Sequence, residues 1–598
     1  MAKTKNVAQV LLDILADAGA SQIFGVTGDA LNPVLDAIRT DDRFTWYGVR
    51  HEENAAYAAY AQAELTGGIG VCAGTVGPGA LHLINGLYNA KREGAGVVAI
   101  TGQVAHHEKG TGYFQEVDLT KAFDDICEYQ AIVNTPEQIA RVAEIAVQKA
   151  LVEKCVVRIE LPVDVIGAPS AGRHFLHPLL HASATQAPDP QSLAAAVDVI
   201  GHGKKVTLFC GVGCRDARDE VLALAEKLGA PIVHTLRAKD IFDYGDPNVV
   251  GLTGLIGNPA GYHAIWDCDV LVMLGTNFPY DGFIPDGIEI VQVDTKVENI
   301  GRRAPVTAGI VGDVKATVSA LTPLVKAHKD HSILHHKEAH FLQHLTKVKD
   351  RWLEAMDEQA DLGRTDEPVH PQLFAKAVND RAADDAFFSV DVGECTVWAA
   401  RHLRLPGERR MAGSFNHGSL GAGFPIAMGA AALDPSRQVW AFVGDGGFGM
   451  AMQDFVTAVR FGWPVKVLVF DNSELGFVKM ETEVAGLPLY PEATGLVNPD
   501  FAAYARACGA EGVRVTKAAD VVPAIEAAIA YDGPFIIDAV VSPGELTMPP
   551  HVSMEEAWGF GVSKAKEGLI GIRGEHEQWE GWVDELKANL HTFSLKSI

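Results

Sequence analysis

Gly444-Asp445-Gly446-Gly447 is the segment of this chain best suited to chemistry, because it sets an oxygen ligand in a glycine turn between apolar runs. The run 439–443 predicts a strand, 448–460 a helix, and 465–470 the next strand, which ends just before Asn472. An Asp at one strand end and an Asn at the next lie side by side at the carboxyl edge of a parallel sheet, where ligands bind. A hard cation takes oxygen ligands, and Mg²⁺ keeps few protein oxygens while phosphate supplies others. The unit therefore reads as a seat for Mg²⁺ and a diphosphate. The alternative reading is an ordinary Gly-Asp-Gly turn.

A chain of 598 residues is too long for one core and implies several domains. With 48% hydrophobic and 21% charged residues it is globular. A formal charge of −26 argues against nucleic acid as a partner and against simple adsorption to anionic lipid. An anionic cofactor must then be held by a local metal and backbone N–H groups. The eight cysteines form no pairing framework; only Cys210 and Cys214 are close, with no second pair to make a zinc site. They read as buried thiols in a reducing compartment. The start of the chain lacks the apolar core of a signal peptide, and no run approaches a bilayer span. The expected location is cytoplasmic, at most peripheral on the inner face of the cell membrane.

The elements that must position this seat alternate between helical and strand periodicity. Helical patterns at 6–18 and 29–39 interleave with apolar strand runs at 22–26, 45–50, 68–73, 96–100 and 155–161. Such alternation predicts a doubly wound α/β unit with a parallel sheet, here over 1–180 as the first of three. A Pro-, His- and Ala-rich linker at 162–190 leads to a second α/β unit over 188–325, with strands at 205–210, 230–234, 270–274 and 288–294 and a helix at 217–228. A polar connector spans 326–369; its histidines, including His336, His340 and His344 on one helical face, read as a solvated surface. The third α/β unit, 370–541, holds the opening motif, and a tail, 542–598, completes the chain. In that tail Trp579, Trp582, Val583, Leu586, Leu590 and Phe593 recur at helical spacing, which fits core packing or an amphipathic segment that docks on a membrane.

Three further segments complete a pattern. Gly25-Val26-Thr27-Gly28-Asp29 is followed by His51-Glu52-Glu53 at a strand-to-helix junction, where acids are also common for dipole reasons alone, and then by Gly74-Thr75-Val76-Gly77-Pro78-Gly79. In this order, with the Asp445/Asn472 pair, the chain resembles thiamine-diphosphate (ThDP) enzymes over nearly its whole length. The stretches 113–116, 274–280, 413–419 and 475–478 resemble the pyruvate oxidases, and within them the bacterial quinone-dependent pyruvate dehydrogenases.

The resemblance implies roles residue by residue. Glu52 is the carboxylate that shares a proton with N1′ of the aminopyrimidine, which is acid–base catalysis through the cofactor. Asp445, Asn472 and the carbonyl of Glu474 are the Mg²⁺ ligands, with Gly444, Gly446 and Gly447 around the diphosphate. Asp471 stands where the family often has Asn. Leu420, at a position usually Met in that subgroup, props the cofactor in its bent shape, and the Gly418 carbonyl accepts from its amino group. In the second unit Gly211, Gly213, Gly275, Thr276, Asn277, Phe278, Asp294 and Asp313 resemble an FAD site, with backbone groups at the glycines on the pyrophosphate. Read from the residues alone, Gly211-Val212-Gly213 is only a fragment of a dinucleotide fingerprint. Phe477 is implied between ThDP and flavin, Glu481 toward the reacting centre, and Phe114 and Gln115 in the site of a partner subunit.

The implied activity is oxidative decarboxylation of pyruvate, or a similar 2-oxo acid, to acetate and CO₂. It uses ThDP, Mg²⁺ and FAD, with a membrane quinone as acceptor, in a homotetramer built as a dimer of dimers. The tail is implied as a peripheral membrane contact. Alternatives on the same scaffold are a phosphate-dependent pyruvate oxidase forming acetyl phosphate and peroxide, and an acetolactate-synthase-like carboligase or non-oxidative decarboxylase. A catalytically silent cofactor-binding protein is opposed by the presence of Glu52 with both metal side chains.

Overall fold

The computed structural model describes residues 4–170, 185–327, 339–365 and 367–545. His336 in the connector and the tail positions Trp579, Trp582, Val583, Leu586, Leu590 and Phe593 lie outside the described residues.

Among the described residues the chain forms three six-stranded sheets in which every named strand pair is parallel. The first holds β1 (Gln22–Gly25), β2 (Thr45–Gly48), β3 (Ile69–Gly74), β4 (Gly96–Gln103), β5 (Tyr129–Ile132) and β6 (Val156–Pro162), in the order 2-1-3-4-6-5. The second holds β7 (Val206–Cys210), β8 (Ile232–His234), β9 (Val249–Leu252), β10 (Val270–Leu274), β11 (Glu289–Asp294) and β12 (Ala308–Val311), in the order 12-11-10-7-8-9. The third holds β13 (Phe387–Val390), β14 (Arg410–Gly413), β15 (Val439–Gly444), β16 (Val465–Asp471), β17 (Glu511–Val515) and β18 (Phe535–Val540), in the order 14-13-15-16-18-17. Central strands such as β3, β4, β15 and β16 are buried almost throughout, because helices cover both faces. The fold is the three-fold α/β arrangement expected.

Strands β5, β9, β12, β13, β14, β17 and β18 were not anticipated; all but β18 have only four or five residues, which leaves little for a periodic pattern to register. The helix expected at 448–460 also differs. It starts at Asp445, so the glycine segment is its first turn, and it breaks into Asp445–Ala451, a 3₁₀ turn Met452–Asp454, and Phe455–Phe461. An acid in the first turn of a helix is favoured by the backbone dipole, and this lets the helix begin directly from the strand.

The first and third units share one core. The helix Glu52–Thr66 packs on the helix Gly423–Leu433, and both are rich in alanine and buried around most of their circumference. Their approach is so close that a Cβ on Gly429 would stand 2.3 Å from the Ala58 carbonyl oxygen. Polar contacts lock the same seam: Asp454 accepts from Arg50 N at 2.7 Å and from the Asn54 amide at 2.5 Å. The central unit is tied in by Arg237, paired with buried Glu93 at 2.8 Å, and by Asp240, which accepts from Arg410 at 2.8 Å.

Candidate active site

Strands β15 and β16 pair with Gly444 beside Phe470, so the residues that follow each strand emerge together at one sheet edge. Asp445 Oδ1 accepts from Gly446 N at 2.8 Å. Its Oδ2 accepts from Ser473 N and from the Asn498 amide, both at 2.7 Å. The same Asn498 nitrogen donates to Asp471 Oδ1 at 2.8 Å, so Asp471 is held within the polar network. Arg514 lies 3.5 Å from the other Asp471 oxygen. Asn472 Oδ1 accepts from Glu474 N at 3.0 Å, while its Nδ2 donates to Glu394 Oε2 at 3.1 Å.

Of these, Asp445, Gly446, Asn472, Glu474 and Glu394 border a cavity of about 270 Å³. Its walls bring together Gly418, Leu420, Gly444, Asp445, Gly446, Gly447, Asn472, Glu474 and Phe477. Glu394, Trp398 and Val478 also line it. A Cβ on Gly393, Gly418 or Gly444 would meet nothing within 4 Å, so three glycines leave open space where a ligand can approach backbone. Asp391, wholly buried at the end of β13, braces the Leu420 side of the wall. Its Oδ1 accepts from Val392 N at 2.7 Å and Gly421 N at 3.0 Å, and its Oδ2 has no partner.

Burial pushes the carboxyl of Asp445 up to about 6, against the hydrogen bonds from Gly446 and Asn498. Asp391 is likewise raised to about 6 by burial. Burial raises Glu394 to about 8; Lys479 opposes this, while Glu545, Glu474 and Asp445 add to it. A cavity edged by carboxyls that burial disfavours as anions is one that a divalent cation would relieve. Among the described residues no group of three or more His, Cys, Asp or Glu side chains is arranged to hold a metal. The expected Mg²⁺ set uses one carboxylate, one amide and one backbone carbonyl, with phosphate and water to complete it. The residues present fit a metal-diphosphate group.

Glu52 lies elsewhere. It opens the helix Glu52–Thr66, is 5% exposed, and meets His82 Nδ1 at 2.8 Å. His51 stacks on His82 with ring centroids 4.5 Å apart. Thr75 Oγ1 is buried without a partner, and a Cβ on Gly79 would come within 3.0 Å of Glu52 Oε1. The cavity lining begins at Val392, so neither Glu52 nor any other residue of the first unit contributes to it. Phe114 is 77% exposed, and Gln115 beside it has φ +63°, so this loop presents an aromatic side chain outward. Glu481 is exposed and outside the cavity lining, a turn beyond Phe477 on the helix Gly476–Val484.

In the central unit the expected residues gather at the carboxyl ends of β7, β10, β11 and β12, which are neighbours. The glycines there do not offer amides to a ligand. Gly211 N donates to Leu274 O at 2.9 Å, Gly213 N to Gly275 O at 3.2 Å, and Gly275 N to Val293 O at 2.9 Å. Their smallness serves backbone contact instead: a Cβ on Gly211 would lie 2.2 Å from the Gly275 oxygen. Thr276 and Phe278 are buried, Phe278 edge-on to Phe209 at 5.2 Å. Asn277 Oδ1 accepts from Arg303 Nε at 3.3 Å. Asp294, raised by burial, accepts from Lys296 N at 2.8 Å, and Asp313 caps the helix Val314–Leu321 through Ala316 N at 2.9 Å.

Comparison with known proteins decides the family. Models of the thiamine pyrophosphate enzymes match at residues 5–122 (N-terminal TPP binding domain), 193–321 (central domain) and 391–539 (C-terminal TPP binding domain). The chain belongs to the thiamine-diphosphate enzyme family. It is similar to YdaP of Bacillus subtilis (strain 168), named as a thiamine pyrophosphate-containing protein, with 36% identity over 93% of this chain and 95% of that one. It is also similar to the acetolactate synthase large subunit of Corynebacterium glutamicum, with 31% identity over 89% of this chain and 86% of the relative. The pyruvate oxidase of Lactiplantibacillus plantarum matches at 29% identity over 90% and 89%.

Sequence reasoning missed Asp391, Glu394, Asn498, Arg303 and His82. The first two were open to the argument applied to Asp445, since Asp391 follows the apolar run of β13 at the same sheet edge. Asn498 sits in a loop without periodicity and carried no signal. Among the described residues no helix is long and apolar enough to cross a membrane. All eight cysteines are free, and six are buried.

Proposed function

We propose that this ThDP enzyme oxidatively decarboxylates pyruvate, using Mg²⁺ and FAD, and passes the electrons to a membrane quinone. The balance is pyruvate, water and quinone going to acetate, CO₂ and quinol. When bound, ThDP supplies the electron sink for loss of CO₂ and FAD the two-electron relay. The observation that carries the reading is the shared cavity in which Asp445 and Asn472, at adjacent strand ends, face Gly418 and Leu420.

The chain's own residues divide the work. Asp445, Asn472 and the Glu474 carbonyl hold Mg²⁺ and through it the diphosphate. Leu420 props the coenzyme, the Gly418 carbonyl accepts from its amino group, and Glu52 holds a proton at N1′. Phe477, on the cavity wall, stands toward the flavin, and Glu481 toward the substrate side. Because the cavity excludes the first unit, Glu52, Phe114 and Gln115 act on the cavity of a second chain, and the assembly is a homotetramer of such dimers. In the central unit the glycine amides are committed to the fold. The FAD pyrophosphate is therefore held by Arg303 and Thr276, with Asn277 and Phe278 beside it and Asp294 and Asp313 toward the ribose or adenine. The tail beyond 545 is the peripheral membrane contact.

The test is anaerobic addition of pyruvate while the flavin spectrum is followed. Bleaching supports this reading, and an unchanged spectrum overturns it. A carboligase is the second reading, favoured by likeness to a relative named acetolactate synthase over most of both chains. It predicts acetolactate with the flavin still oxidised. A phosphate requirement with peroxide release would instead mark a phosphate-dependent oxidase.

A further inference from the structure

The Asn472 amide has two neighbours of opposite hydrogen-bonding character. Glu474 N–H is a donor and requires the amide oxygen, at 3.0 Å. The Glu394 carboxyl accepts the amide nitrogen, at 3.1 Å. The Glu474 N–H can only donate and so selects the amide rotamer, and in that rotamer the Glu394 carboxyl accepts from Nδ2. In that rotamer Oδ1 has used one lone pair on Glu474 N–H and keeps the other for a cation. Glu394 is itself fixed. It belongs to the helix Glu394–His402, and its carboxyl lies so close to Gly476 that a Cβ there would come within 2.5–2.7 Å of its carbon and oxygens. Gly476 is therefore the residue that makes room for this carboxyl between the strand end and the next helix.

We propose that Glu394 is a positioning residue for the metal seat: its carboxyl holds the Asn472 amide so that Oδ1, not Nδ2, is the atom presented to a divalent cation. This rests on the Mg²⁺-diphosphate reading above. Without the Glu394 acceptor only the Glu474 N–H opposes amide rotation, and a rotated amide turns an N–H donor toward the cation. Loss of a partner that orients a metal ligand typically costs about 10–100-fold in metal affinity.

The experiment is calorimetric titration of Mg²⁺ into the full-length protein, stripped of coenzyme and metal, at saturating ThDP. Glu394→Met keeps length and bulk but removes the acceptor, and should raise the half-saturating Mg²⁺ concentration by about tenfold or more. Glu394→Gln keeps an acceptor oxygen and should stay within about twofold of the wild type, which separates loss of the acceptor from loss of the carboxyl group. An unchanged titration in E394M, or an equal weakening in E394Q, overturns the proposal. Should E394M not fold by circular dichroism, E394A, which removes the acceptor without adding bulk, decides in the same way. A wild type that takes up ThDP with no dependence on Mg²⁺ would sink the seat itself, an outcome distinct from failure of the Glu394 role alone.

Discussion

The Asp445 carboxylate accepts the Ser473 N–H at 2.7 Å, joining the residue after β15 to the loop after β16. Ser473 has φ +59°, a left-handed conformation that a side chain other than glycine adopts at a cost of about 1–3 kcal/mol. The bonds around it hold the turn: Asp445 takes the Ser473 amide, Asn472 takes the Glu474 amide, and Asp471 takes the Ser473 hydroxyl at 3.2 Å. The turn sets Asn472 and Glu474 on the cavity wall, while the Ser473 carbonyl accepts from Leu496 N at 2.8 Å.

Glu52→Gln should leave the fold intact and remove turnover. The variant keeps the volume and an acceptor toward His82 but cannot share a proton with N1′. We expect a fall of about 10²–10⁴-fold in kcat, the usual range for a positioned acid–base group, with an unchanged Tm. Near-normal turnover would remove Glu52 from this role.

Gly429→Ala tests the seam between the first and third units. Alanine gains about 1 kcal/mol of helix propensity over glycine. Its Cβ would nevertheless lie 2.3 Å from the Ala58 carbonyl oxygen, a backbone atom that cannot turn aside. Overpacking of this kind costs about 1–3 kcal/mol, so the clash wins and denaturant unfolding should shift to lower concentration.

Arg303→Ala should yield protein with less flavin after purification, read from the ratio of flavin to protein absorbance. The guanidinium bonds Asn277 at 3.3 Å at the edge of β10 and is offered as the charge for a pyrophosphate. ThDP uptake by the same preparation should not change. Full flavin content in R303A would remove the arginine from that site.

Asp391 gives a pH dependence with a definite sign. Its carboxyl is raised from 3.8 to about 6 by burial, so between those values the folded chain keeps a proton that the unfolded chain releases. Stability therefore falls as pH rises through this window and the loss is complete above about pH 6, amounting to about 3 kcal/mol for this wholly buried group. Asp391→Asn has no proton to lose. Coenzyme-free D391N should vary less in stability between pH 4 and 7 than the wild type, by urea unfolding at each pH; an identical profile would refute the assignment.

The parts of this molecule legible in its residues are those repeated or chemically pointed. Long apolar runs such as β4, β15 and β16 announced a buried parallel sheet, and Gly-Asp-Gly followed by Asn472 announced a ligand edge. Short strands such as β5, β9 and β12 did not, since four residues leave too few positions for a pattern. The central glycines looked like phosphate binders, but only coordinates could show their amides bonded to neighbouring strands. Asn498, far along the chain from Asp445, is brought to it by the path of a loop, and no local rule encodes that.

The separation of Glu52 from a cavity whose walls start at Val392 has a genetic corollary. On the proposed reading a chain crippled at Glu52 and another crippled at Asp445 would each be dead alone, yet a mixed pair would rebuild one whole centre from the sound half of each. Co-refolding the two in equal amounts should revive roughly a quarter of all centres, as random pairing across a two-fold axis requires.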